Sequence, residues 1–167
     1  MFQIGDTVVC GSNGVCEIVK IGPLANMGKS AARKDYYTLQ PCFDNSGKIY
    51  LPVDTDKVVM RYVLSKDEVN ALVEEIDTLD QIDICDEKTR EAEYKNAVNS
   101  LDPKLLVRII KTMYYRKKAR IECGKKCTAI DEKYYRIAEN RLCEEMSLAL
   151  GVAKDEVKEN VRKHIEV

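Results

Sequence analysis

Apolar and polar positions alternate over short distances in the first 64 residues and recur every three to four residues after them. β-branched runs such as Thr7-Val-Val-Cys10 are separated by Gly, Asn, Asp and Pro breakers, the pattern of a small antiparallel β-structure. The strands this predicts are Thr7–Cys10, Val15–Ile21, Tyr36–Phe43, Lys48–Val53 and Lys57–Tyr62. Gly11-Ser-Asn-Gly14 and Asp44-Asn-Ser-Gly47 supply turn chemistry, because Gly and Asn tolerate positive φ. Gly22–Lys34 is rich in Gly, Pro, Asn and Ser and reads as a mobile loop. Pro52 cannot donate to a ladder, so its strand is expected at an edge or at its own end. Short strands that close on themselves make an SH3-like or Tudor-like barrel, and closure removes the open edges that invite unwanted pairing.

The period changes at Ser65. Ser65-Lys-Asp-Glu68 is a capping box, and Val69, Leu72, Val73 and Ile76 follow at helical spacing. Asp77–Glu87 is acidic and irregular and reads as an inter-domain linker. A second helix is expected over Thr89–Ser100, with Ala92, Ala97, Val98 and Leu101 on one side. Asp102-Pro103 gives a cap and a Pro at the first helical position of a third helix, Pro103–Ile121, whose stripe is Leu106, Ile109, Ile110 and Met113. Gly124 ends it. Thr128-Ala-Ile-Asp131 opens a long helix to Leu150, stopped by Gly151, with Ile137, Leu142, Met146 and Leu150 inward. Val157, Val161 and Ile165 mark a last short helix. The expected class is α+β in segregated domains: a small barrel over 1–64, a connecting helix and acidic linker over 65–88, and a helical domain over 89–167.

Charge sharpens this picture. The net charge of −1 hides +1 over 1–64, −7 over 65–100 and +5 over 101–167. Within 104–126 nine basic residues meet one acid, Glu122, an excess of +8. Lys104, Arg108, Lys111, Tyr115 and Lys118 are spaced four, three, four and three, so they share one helical face, and Lys125 and Lys126 follow in the turn. A face of one sign forgoes i,i+4 pairing and attracts polyanions, which makes these lysines and arginine candidate DNA contacts.

Other chemistry is sparse. No apolar run approaches the roughly 18 residues of a membrane span, and the N-terminal segment lacks the basic and apolar regions of a secretory signal, so a cytoplasmic protein is expected. The seven cysteines are odd in number and dispersed, which suits reduced thiols acting as small apolar residues. His164 is the only histidine, and Cys123 with Cys127 falls short of four zinc ligands, so neither a metal nor a cofactor is expected. Met27-Gly-Lys-Ser30 lacks the earlier Gly of a phosphate loop, position 23 being Pro. The chain is not expected to be an enzyme.

Phe2-x-x-Gly5-Asp-x-Val-Val, Gly14 after a turn, Tyr37-x-Leu39, Leu51-Pro-Val-Asp and Val58-x-Met-Arg61 resemble the RNA polymerase-interacting domain of the CarD family, shared with the bacterial transcription-repair coupling factor. Glu93-Tyr94-Lys95-x-Ala97, Leu106-x-x-Ile109-Ile110-x-x-Met113 and Glu132-Lys133 through Glu144-Glu145-Met146-x-Leu148-Ala149 resemble the family's helical domain in order and spacing. The resemblance implies a stand-alone bacterial transcription regulator. It implies a barrel docked on the β1 lobe of the polymerase β subunit through Lys48, Ile49, Tyr50 and Leu51, with Pro52 beside them. It further implies a helical domain on promoter DNA at the upstream edge of the bubble, acting on open-complex stability. By register, Arg90 stands where the family carries a Trp wedged into the minor groove at the fork, and Tyr94 and Lys95 follow as DNA candidates. A monomer is expected. The rival reading is a protein-only adaptor, its barrel binding a peptide and its helices serving dimerisation.

Overall fold

A computed structural model describes all 167 residues. The chain divides between Val63 and Leu64 into two compact units.

The first unit is a five-stranded antiparallel sheet: β1 (Thr7–Cys10), β2 (Val15–Gly22), β3 (Tyr36–Pro41), β4 (Ile49–Pro52) and β5 (Met60–Tyr62), in the order β4-β3-β2-β1-β5. Val8, Cys10, Cys16, Ile18, Tyr37, Leu39 and Leu51 form its core, with Phe2, Ile21, Ile49, Val53, Val58 and Met60 packed against it. The register shifts between Ile18 and Lys20, where β2 faces β3. This bulge lets Val19 and Lys20 both face outward and returns Ile21 to the core side, which a strict two-residue alternation does not allow. The turn between β1 and β2 is a single 3-10 turn, Gly11–Asn13. Gly11 has φ +44, and a Cβ there would lie 3.1 Å from Val58 Cγ1.

The sheet does not close, which corrects the expected barrel: β4 and β5 are its two edges. β5 is only three residues long, and β4 ends on Pro52, which has no N–H to offer a further strand. The segment read as a mobile loop contains a 3-10 turn, Ala31–Arg33, with Ala31 buried.

The second unit holds α1 (Lys66–Glu75), α2 (Arg90–Asn99), α3 (Pro103–Glu122), α4 (Ala129–Leu150) and α5 (Lys154–Ile165). Their caps form as the residue types dictate. Ser65 Oγ accepts the Glu68 N–H while Glu68 Oε2 accepts the Ser65 N–H. Asp102 and Thr128 accept the N–H groups of Lys104 and Asp131. At the end of α3, the Lys125 N–H reaches Arg120 O (2.8 Å) and the Gly124 N–H reaches Ile121 O (2.9 Å), the double closure that a left-handed glycine allows. One core joins Val69, Leu72 and Ile76 of α1 to Tyr94 and Val98 of α2, the predicted α3 stripe, Leu142 and Met146 of α4, and Val157, Val161 and Ile165 of α5.

Residues 65–88 therefore belong to the helical unit, and the acidic stretch does not link two domains. Leu79, Ile82 and Ile84 pack against the helical core, their acidic neighbours facing outward. Ala92 is exposed, and Arg90 and Tyr94 take the inward side of α2 in its place.

Candidate interaction surfaces

In the sheet unit, β4 pairs with β3 on one side only, with Tyr50 opposite Thr38 and Leu51 opposite Tyr37. Alternation sends Leu51 into the core and leaves Lys48 and Tyr50 outward, Tyr50 at 42% exposure. Ile49 and Pro52 are half-buried. Beyond β4, Val53 N–H donates to Asp35 O (3.0 Å) and Lys34 pairs with Asp54 at 3.7 Å, which fixes the end of the strand beside β3. The edge thus offers unpaired backbone groups, an amphipathic phenol and a cation on a rigid support. Such an edge can add a partner strand.

In the helical unit, the basic face of α3 is largely occupied from within. Arg108 donates to Asp80 O (2.9 Å) and Gln81 O (3.2 Å). Lys111 Nζ donates to the carbonyls of Ile76, Asp77 and Leu79 at 3.1, 3.0 and 2.8 Å. Lys104 pairs with Glu75 at 2.5 Å, which raises its pKa by a hydrogen bond and by charge. The acidic strap that follows α1 lies along the face that the sequence presents as a polyanion site. The strap engages Arg108 and Lys111 through its backbone carbonyls, and Glu75 of α1 supplies the ion pair.

Arg90 is 8% exposed, so it cannot present itself to solvent as a wedge. It pairs with Glu87, and its Nε faces Asp131 Oδ1 at 3.5 Å. Arg116 completes the group, at 3.0 Å from Glu87 and 3.3 Å from Asp131. Asp131 is 1% exposed, so its carboxylate depends on these two guanidinium groups. Hydrogen bonds from Arg116, and the charges of Arg116 and Arg90, hold the Glu87 carboxyl below its usual range. Tyr94 is wholly buried, against Tyr134. Burial, and then the charge of Asp131, push its hydroxyl up to about 12. Tyr94 touches no solvent and is not a DNA contact in this fold.

Of the candidate set, Lys95, Lys118, Lys125 and Lys126 are exposed without an internal partner, and Lys104 is exposed but paired with Glu75. A cleft of about 880 Å³ opens among α3, α4 and α5, lined by Tyr114, Lys117, Ile121, Tyr135, Arg136 and Arg162 among others. Basic and acidic side chains line it in equal number, so it does not select an anion. No grouping of three or more His, Cys, Asp or Glu side chains is placed to hold a metal ion. No helix is long and apolar enough to cross a membrane.

Residues 2–63, the whole of the sheet unit but Met1, match the family model of the CarD-like/TRCF RID domain. The N-terminal unit is a CarD-like domain. Such a domain is a protein-interaction module of transcription, one that interacts with RNA polymerase, and it is not catalytic. No curated protein matches the chain.

The CarD-like domain carries Tyr50 on its free β4 edge and an exposed Lys48 just before that strand. Sequence reading missed two other features of the helical unit. Lys117 is exposed beside Lys118, and Ile121 is 58% exposed although it ends an apolar-striped helix. The helical wheel carries the signal. Counting from Met113 on the inward stripe, Ile121 falls eight residues on, about 80° round the helix from it, at the border of the cleft.

Proposed function

We propose that this chain is a regulator of bacterial transcription. Its CarD-like domain binds the β1 lobe of the polymerase β subunit through the β4 edge, with Lys48, Ile49, Tyr50, Leu51 and Pro52 at the contact. Its helical unit lies on promoter DNA at the upstream edge of the bubble and changes the stability of the open complex. The protein acts as a monomer. The observation that carries the reading is the CarD-like match over residues 2–63, together with an outward Tyr50 on β4, an edge strand with one free side, and an exposed Lys48 just before it. Main-chain pairing supplies affinity in such a contact, and the phenol supplies a large anchor at low entropic cost.

The test is binding of the full chain to the isolated β1 lobe. Tyr50→Ala and Lys48→Glu should each weaken it, and both side chains point away from the core, so the sheet should stay folded. Unchanged affinity in both folded variants places the polymerase contact elsewhere. The second reading, a protein-only adaptor, is favoured by one observation: Arg90, Arg108 and Lys111 are engaged within the protein. Absence of any salt-dependent binding to duplex or forked DNA, with polymerase binding intact, selects the adaptor.

A further inference from the structure

Once internal pairing is subtracted, the densest exposed positive charge of the helical unit lies at the end of α3. Lys117 and Lys118 sit on its last turns, and Lys125 and Lys126 on the turn that follows. All four are exposed, and none makes an ion pair or a side-chain hydrogen bond. The turn is also held in place. Its two closing hydrogen bonds are joined by Arg120, whose Nε donates to Lys126 O at 2.8 Å. Between the two lysine pairs stands Ile121, and Glu122 is the only acid among them. Ile121 is an exposed, stiff β-branched side chain close in sequence to these cations, and it is not part of the packed core, whose last α3 member is Tyr114.

We propose that this helix end is the DNA contact of the chain: Lys117, Lys118, Lys125 and Lys126 bind backbone phosphates of a duplex, and Ile121 enters the groove between them. This rests on the DNA half of the function proposed above and moves its site from the start of α2 to the end of α3. Charge complementarity selects a polyanion. The duplex is chosen among polyanions because the CarD-like domain brings the chain to a polymerase on its template. Apolar side chains flanked by cations are the usual means of prying at base steps from the minor groove. Lys117, Lys118 and Ile121 also border the charge-balanced cleft, while Lys125 and Lys126 lie outside its lining and tip the balance of this helix end to positive.

Four phosphate contacts give a slope of log affinity against log salt of about −3.6, which is about a 150-fold loss between 50 and 200 mM salt. The experiment measures full-length protein on a fluorescent 30-base-pair duplex across that range, with 2-aminopurine in the duplex reporting unstacking. Lys117→Gln/Lys118→Gln should halve the slope, so that the same salt step costs about 12-fold. Ile121→Ala should leave the slope unchanged, lower affinity about 5-fold and reduce the 2-aminopurine signal. Lys95→Gln should change nothing. Wild-type binding with a slope unaltered by the lysine pair, or competed equally by polyglutamate, overturns this site while leaving DNA binding itself standing. Loss confined to Lys95→Gln returns the contact to α2 and overturns the site in the same way. Wild-type protein that binds no duplex at all overturns the DNA half of the proposed function, and this inference with it.

Discussion

Arg90 offers the sharpest test of the fold of the helical unit. Removing its guanidinium leaves the Asp131 carboxylate, 1% exposed, with Arg116 alone at 3.3 Å. Taking away the whole partnership of a buried charge costs about 3–5 kcal/mol. Here one of two partners stays, so Arg90→Met should cost about 2 kcal/mol, with the methionine keeping the packing of the arginine stem. For a unit of this size that corresponds to a fall in Tm of about 8–12 °C. Urea unfolding followed by far-ultraviolet circular dichroism reads mainly the helices. Asp131→Asn in the Arg90→Met background should cost less than in wild type, with a coupling of about 1 kcal/mol or more. Arg90→Trp adds a second readout, because the chain has no other Trp. A ring in the Arg90 site should emit at short wavelength and destabilise by overpacking. If Arg90→Met unfolds within about 0.5 kcal/mol of wild type, with no coupling to Asp131, and the indole of Arg90→Trp emits as in water, then Arg90 is a surface residue and the reasoning fails.

Three further outcomes follow from other features. Ellman's reagent should label Cys42, Cys85, Cys123 and Cys127 in the native protein and reach Cys10, Cys16 and Cys143 only on unfolding, since burial pushes the Cys16 and Cys143 thiols up to about 12; rapid native labelling of all seven would contradict the cores described. Gly11→Ala should destabilise the sheet unit by about 1–2 kcal/mol, because φ +44 and the 3.1 Å approach to Val58 both oppose a Cβ, and an unchanged urea midpoint would refute the tight turn. Glu87 has a folded pKa below its unfolded value of about 4.5, so its contribution to stability is present above that pH and is lost as pH falls through the lower folded value; the urea midpoint should therefore drop more between pH 5 and pH 3 in wild type than in Glu87→Gln, and parallel curves would refute the pairing.

Local features of the fold were legible because local chemistry decides them. The capping box at Ser65, the Asp102-Pro103 start, the Gly124 and Gly151 stops and the inward stripes of α3 and α5 each depend on residues within a turn or two. The free β4 edge was legible too, through Pro52. What escaped depends on residues far apart in the chain. Arg108 and Lys111 look like an open basic face until the carbonyls of 76–81, about 30 residues earlier, come to rest on them. Arg90, in the first turn of a helix, reads as solvent-facing, and only the meeting of α2 with α3 and α4 buries it. The bulge at Val19 is invisible to a strict alternation. The acidic strap did carry a warning in its own sequence, since Leu79, Ile82 and Ile84 recur among Asp77, Asp80 and Asp83, a pattern that a solvated linker does not need.

The strap has a practical consequence for anyone dissecting this protein. A fragment beginning at residue 89 looks sensible from the chain's charge and breaker pattern, yet it discards α1, Glu75, Glu87 and the carbonyls that accept hydrogen bonds from Arg108 and Lys111. The truncated piece would bare the inward side of α3, both greasy and cationic, and would stick to nucleic acid, resins and itself. Retention of such a fragment on DNA would measure the cut, not the protein. Fragments that begin at Leu64 keep the strap on α3 and the Leu64 N–H on Glu145 Oε1, and only these can report the affinity of the native surface.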